Sequence, residues 1–282
     1  MAGRIPIAFR TLIVLVVLAA TACAEREPAS EPPGADETTK TRVLEAGAAI
    51  LQPDDVFEGF DVYLVGFHPM KQEPHIQMEA HHFCRQVNQD FAQCVLFDGN
   101  TDEANMTGVE YIISGRLLES LPSEEREYWH PHNFEILSGQ LVAPGIPQIA
   151  EVELMRDKMN SYGKTFHFWH TGRDEGGQQL PLGPAKLAWS FNRMGEARPE
   201  LISRRDAEMK IDSREKSRER QELVPLAKPQ YGVDLLQGAF PAPTEPLPGV
   251  VDAGAGVAGS NVGQKGVAGG DATEPSRRPE VP

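Results

Sequence analysis

The sequence predicts an α+β fold: a single domain with a largely antiparallel sheet and two or three helices, flanked by disordered termini. Three observations predict it. Between residues 60 and 114, four short segments alternate or run apolar and are bounded by turn residues, the pattern of strands that pair with their neighbours. Helical spacing follows in separate segments and is not interleaved strand by strand, which argues against a parallel sheet. Gly and Pro crowd into the two ends of the 282-residue chain, so order belongs in the middle.

The elements follow in order. Residues 60–67 (FDVYLVGF), 75–87, 91–97 and 106–114 read as four strands. A tight turn over 88–90 joins the second to the third, and Asp98-Gly99-Asn100 joins the third to the fourth. Residues 117–129 read as helix, restarted at Leu121-Pro122-Ser123, with Glu124 and Glu125 in a first turn where the helix dipole favours acid. Residues 134–136, Ser138-Gly139 and 141–143 suggest a short hairpin. Pro147 opens a helix carrying Ile149, Val152, Met155, Met159 and Tyr162, and Gly163 is expected as the residue that ends it. Strands over 164–171 and 186–191 complete the unit, separated by the loop Leu180-Pro181-Leu182-Gly183.

Around this unit the chain divides further. Residues 1–22 have Arg4 and Arg10 before the apolar run LIVLVVL and the small residues Ala19-Ala20-Thr21-Ala22, which together make an export signal. Cys23 follows, as in a bacterial lipoprotein lipobox, and simple secretion after A-T-A is the alternative. Acyl chains on Cys23 would anchor the protein, since no apolar run is long enough to span a bilayer. Residues 23–55 are expected as an acidic, Pro-rich tether, 56–197 as the domain, 198–229 as a solvated charged helical extension, and 230–282 as a disordered Pro/Gly/Ala-rich tail. The expected location is therefore the cell envelope, membrane-anchored; a secreted or periplasmic soluble protein is the other outcome. A net charge of −14 excludes nucleic acid as a partner and argues against electrostatic adhesion to an anionic membrane.

All eight histidines lie between His68 and His170. Alternation in the second strand puts Glu79 and His81 on one face, and His82 on the other with Met78 and Cys84. His81, His130, His132 and His167, with Glu79 or Glu135, are the candidate ligands for a divalent metal or the lining of a polar pocket. No H-E-x-x-H, paired C-x-x-C, G-x-S-x-G or Walker loop is present, and no cofactor is demanded by a signature. The competing readings are imidazoles hydrogen-bonded beneath Phe83, Trp129, Phe168 and Trp169, or acid/base chemistry. Cys84 and Cys94 fall opposite each other if residues 88–90 turn tightly; a disulfide and a pair of small apolar core residues both fit.

Several colinear motifs between residues 67 and 194 carry a resemblance. They are Glu79-Ala80-His81-His82-Phe83-Cys84, Gln93-Cys94, Gly108-Val109-Glu110-Tyr111-Ile112-Ile113-Ser114, Trp129-His130-Pro131-His132-Asn133-Phe134-Glu135, Tyr162-Gly163-Lys164, His167-Phe168-Trp169 and Leu180-Pro181-Leu182-Gly183. This succession resembles the DUF1264 family, whose plant members are the oil body-associated proteins. The resemblance implies a protein of lipid-storage surfaces with no established reaction or cofactor. Two classes of function follow from residues and resemblance together. One is a non-enzymatic envelope lipoprotein that associates with lipid or another envelope protein; the other is a metal-dependent enzyme or sensor built on the histidines.

Overall fold

A computed structural model describes residues 24–52, 56–172 and 176–254. Strands β1 (Val62–Pro69), β2 (Gln77–Asn88), β3 (Phe91–Phe97) and β4 (Met106–Ser114) form an antiparallel meander, as their alternation requires. Helices α1 (Thr39–Leu51), α2 (Gly115–Ser120), α3 (Ser123–Arg126), α4 (Asn133–Leu137) and α5 (Gln148–Lys158) lie before and between strands, with β5 (His130–Pro131) short and β6 (Ser161–His167) long. The sheet order is β1-β2-β3-β4-β6-β5, and β7 (Lys186–Leu187) pairs with β6. Just beyond β7, Ala188 bridges to Met70, and the Trp189 amide donates to the Pro69 carbonyl at 2.8 Å. The sheet therefore curls until its last strand reaches its first, which gives it an inner and an outer face.

The register fixes what each face carries. Leu64, His82, Leu96, Gly108 and His167 are directly opposite one another across five strands, and so are Val62, Cys84, Cys94, Glu110 and Thr165. Opposed residues share a face, so both rows point inward. Cys84 and Cys94 form a disulfide inside this core, packed with Ala92, Leu96 and Ile112. The outer face carries the row Tyr63, Phe83, Val95, Val109 and Phe166.

Several sequence expectations are corrected here. The hairpin over 134–143 is instead the buried helix α4, because Phe134, Ile136 and Leu137 fill the core at helical spacing and Gly139, at φ 76°, turns the chain out of the helix. Helix α5 ends at Lys158, where Asn160 takes the left-handed conformation (φ 64°); Gly163 lies within β6. The charged extension is not a solvated appendage. It forms α6 (Pro199–Met209) and α7 (Ser213–Glu219), and buries Leu201, Arg205, Met209 and Arg220 against the sheet and α4. The Arg220 guanidinium donates to the carbonyls of Ile136 (2.8 Å) and Leu141 (2.7 Å) and to Glu151 (3.0 Å). Such a buried arginine, paired through both terminal guanidinium nitrogens, is an interior staple; hydropathy alone reads it as surface.

The chain after residue 230, expected to be disordered, packs as far as the description runs. Val233, Leu236 and Phe240 are buried, the last two beside Trp189 and Phe191, and Gln230 bridges to Asp252. Before β1, the expected tether contains a docked stretch. The Arg26 amide donates to Asn100 Oδ1 (2.5 Å), the Ala29 amide to Asp98 Oδ2 (3.0 Å), and Asn105 Nδ2 to the Ser30 carbonyl (2.6 Å). Helix α1 follows with no buried residue. The export signal, Cys23 and the last 28 residues lie outside the described residues.

Candidate functional site

The inner face of the sheet gathers most of the histidines at its centre. His68 enters from β1, His82 from β2, Glu110 from β4, His167 from β6 and His130 from β5; His132 sits at the start of α4 and Glu135 within it. All seven are buried. Glu110 is the hub. Its Oε2 lies 3.0 Å from His82 Nε2, and its Oε1 lies 3.2 Å from His132 Nε2 and 3.7 Å from His130 Nε2. A second imidazole pair, His68 Nδ1 and His167 Nε2, hydrogen-bonds at 3.0 Å, and the His68 ring packs against those of His82 and His130.

Of the sequence candidates, His130, His132, Glu135 and His167 come together; Glu79 and His81 do not. They face outward from β2, as alternation places them, while the strand's curl puts the convergence on the opposite face. On the outer face His81 is fully engaged, with Nδ1 at 2.7 Å from the Tyr63 hydroxyl and Nε2 at 3.1 Å from Glu79, whose other oxygen accepts from Arg26 at 3.1 Å. His82, His68 and Glu110 take the places assigned to His81 and Glu79. Alternation in β2 already separated His82 from His81, and Glu110 two positions after Gly108 was the visible signal: a lone acid in an otherwise apolar strand.

Glycines make the convergence possible. A Cβ at Gly163 would stand 2.2 Å from Glu110 Oε1, 2.6 Å from His132 Nε2 and 2.7 Å from His130 Cε1. The groups close in on bare backbone, so no larger residue fits there without displacing the centre.

The electrostatics are those of bases held away from water. Burial pushes His130 down to about 3, with His132 adding to the effect and Glu110 opposing it; burial and His82 do the same to His167, also to about 3. Burial and His82 hold His68 well below the usual imidazole range. Burial would raise Glu110, but its hydrogen bonds to His132 and His82 outweigh it and keep the carboxylate well below the usual range. Glu135 goes the other way, raised well above that range by burial and by Glu110. Several polar atoms here have no hydrogen-bond partner among the described residues: His82 Nδ1, both ring nitrogens of His130, His167 Nδ1 and Glu135 Oε1. An unpaired buried polar atom costs about 1 to 3 kcal/mol, so such a concentration is not expected of a purely structural core.

Among the described residues, three overlapping sets can hold a metal ion: His68, His130 and Glu135; His68, His82 and Glu110; and Glu110, His130 and His132. Within each, the donor atoms lie inside 4.8 Å of one another. Buried histidines and carboxylates of this kind suit a divalent ion.

The family model described as "Protein of unknown function (DUF1264)" matches residues 55–224. The chain is 36% identical to oil body-associated protein 2A of Arabidopsis thaliana over 184 residues, covering 64% of this chain and 73% of that one. It is 33% identical to oil body-associated protein 1A of Zea mays over 209 residues, covering 74% and 85%. No solved structure matches. With the family's match running from before β1 through α6 and α7, the chain belongs to the DUF1264 family.

Proposed function

We propose that the chain is an exported envelope protein, anchored through an acylated Cys23, whose domain lies on a lipid surface by the outer face of its sheet and catalyses no reaction there. The observation that carries this is the apolar character of that face. Phe57, Phe60, Phe83, Val95 and Phe97 line an open groove of about 290 Å³, with Phe57 67% exposed. A contiguous exposed apolar surface of this kind marks a site for lipid or protein. Helix α1 adds a second: Val43, Leu44, Ile50 and Leu51, a turn or two apart on one side, are all more than 60% exposed. The plant relatives are named for oil bodies, which are lipid particles, and that favours lipid over a protein partner. With a net charge of −14, contact has to be apolar and not electrostatic.

No helix among the described residues is long and apolar enough to cross a membrane, so attachment falls to acylation and surface contact. Two measurements test this. Cys23→Ser is expected to release the domain or leave the signal uncleaved; a processed variant that still fractionates with membranes would rule out the anchor. Unacylated protein starting at residue 24 is expected to float with neutral phosphatidylcholine vesicles, and Phe57→Asp with Phe60→Asp to abolish flotation. Wild-type protein that stays at the bottom of the gradient removes the lipid surface. A second reading, a metal-binding sensor or metal-dependent enzyme, is favoured by the histidine and glutamate centre of the inner face.

A further inference from the structure

We infer that one divalent first-row transition ion is bound on the inner face by Glu110 Oε1, His130 Nε2 and His132 Nε2, with His82 as the residue that orients Glu110. This extends the second reading and is independent of the lipid surface. It begins with a conflict of hydrogen bonds. The Ser161 hydroxyl donates its single proton to the Lys158 carbonyl at 2.7 Å, so at 2.8 Å from His132 Nδ1 it can only accept. The His132 proton is thereby placed on Nδ1. A neutral His132 then turns the bare lone pair of Nε2 toward Glu110 Oε1 at 3.2 Å, and two acceptors face each other in a buried site. Something positive has to lie between them. A second proton on His132 would serve, but His130 would remain unexplained: fully buried, with neither ring nitrogen hydrogen-bonded, and its Nε2 3.7 Å from the same oxygen.

An ion answers all three atoms at once. Ligands about 2.1 Å from a common ion, at tetrahedral or octahedral angles, lie about 3 to 3.4 Å apart. The separations of Glu110 Oε1 from the two imidazole nitrogens are at or just beyond that spacing. His82 Nε2, 3.0 Å from Oε2, donates to the carboxylate oxygen that the ion leaves free, and Ser161 fixes the His132 ring from behind. These are the partners that ligands of a built metal site carry. Gly163 supplies the room, since its missing Cβ would overlap all three ligand side chains.

Two imidazoles and a carboxylate on adjoining segments leave open coordination positions, the arrangement that suits Fe2+, Mn2+ or Zn2+ and leaves space for a further small ligand. A cavity of about 90 Å³ lined by Met70, Met78, His167 and Trp169 lies beside the histidine cluster, on the His167 side.

The test uses full mature protein made without a histidine tag, stripped with chelator, then titrated separately with Zn2+, Mn2+ and, anaerobically, Fe2+. One equivalent is expected to bind with at least one of them. Affinity is expected to fall by about 100-fold or more in Glu110→Gln and in His132→Ala, and to stay unchanged in His81→Gln, whose imidazole is on the other face. X-ray absorption of the loaded wild-type protein is expected to show imidazole and oxygen ligands, which keeps the assignment testable if a variant does not fold. Absence of saturable one-to-one uptake by wild-type protein, uptake that survives Glu110→Gln, or a sulfur ligand would each overturn the site.

Discussion

His81 and His82 are neighbours in the chain and live in opposite circumstances. On the outer side of β2, His81 has a partner for each nitrogen, the Tyr63 hydroxyl and Glu79, and Arg26 completes the set around the carboxylate. On the inner side, His82 shares Glu110 with His130 and His132, in a centre where both nitrogens of His130 and one oxygen of Glu135 have no hydrogen-bond partner among the described residues. Both imidazoles are buried, and the two centres are similar in composition. What differs is completeness: one pairs both imidazole nitrogens and both carboxylate oxygens, the other leaves polar atoms without partners among the described residues. A closed network is how a fold retains buried polar groups for structure, whereas open acceptors cost stability and persist where something else binds them.

That contrast can be broken experimentally. The largest effect is expected on the closed side. His81→Ala removes two hydrogen bonds, empties a fully buried position and leaves Glu79 with less compensation, so it should destabilise the protein by about 3 kcal/mol, equally with and without chelator. Urea denaturation in the two conditions checks it, and a chelator-dependent loss would show that His81 belongs to the ion's site after all.

On the open side the sign should reverse. His130→Leu replaces a ring with two unsatisfied nitrogens by an apolar side chain beside Trp189, and should stabilise the chelated protein by about 1 to 2 kcal/mol while losing the gain that added metal gives wild type. Thermal melts with chelator and with metal read both effects; a variant less stable than wild type in chelator would mean that His130 is satisfied in the apo protein.

The smallest effect concerns a buried carboxyl apart from both centres. Glu196 accepts from the amides of Asn192 (2.6 Å) and Arg193 (3.1 Å), yet burial pushes it up to about 7. Its folded value lies above the unfolded one, so the folded state keeps a proton that the unfolded chain gives up. Stability should therefore be fully present below about pH 4.5 and decline as pH rises through about 7. Glu196→Gln keeps the acceptor and removes the titration. It should match wild type near pH 4.5 and exceed it by about 1 kcal/mol at pH 8, a figure reduced for the partial access of water. Equal stability at both pH values would mean that the backbone amides alone satisfy the anion.

The four meander strands were legible because their alternation is set by the pleat, and the pleat is local. The same alternation correctly parted His81 from His82. It could not say which face would become the inside, and the choice of His81 and Glu79 as ligands failed at that step: only the closing of β7 onto the end of β1 makes the Leu64, His82 and His167 face concave. Segment 134–143 failed for a related reason. A five-residue buried helix has too few turns to show a period, and its apolar residues fit a strand equally well.

Charge misled at the other end of the domain. The run over 198–222 reads as solvated because arginine is usually exposed, but Arg205 and Arg220 lie fully buried, bonded to carbonyls and acids brought in from α4, α5 and the loops after them. Composition and local pattern by themselves determined the α+β class, the strand meander and the crowding of histidines into one domain, and the colinear motifs carried the family resemblance. Which imidazoles meet, which carboxylate they surround and which charged side chains staple the interior were decided by tertiary structure. Those outcomes depend on partners far apart in sequence, and a buried polar group declares its role only through the partners it finds or lacks.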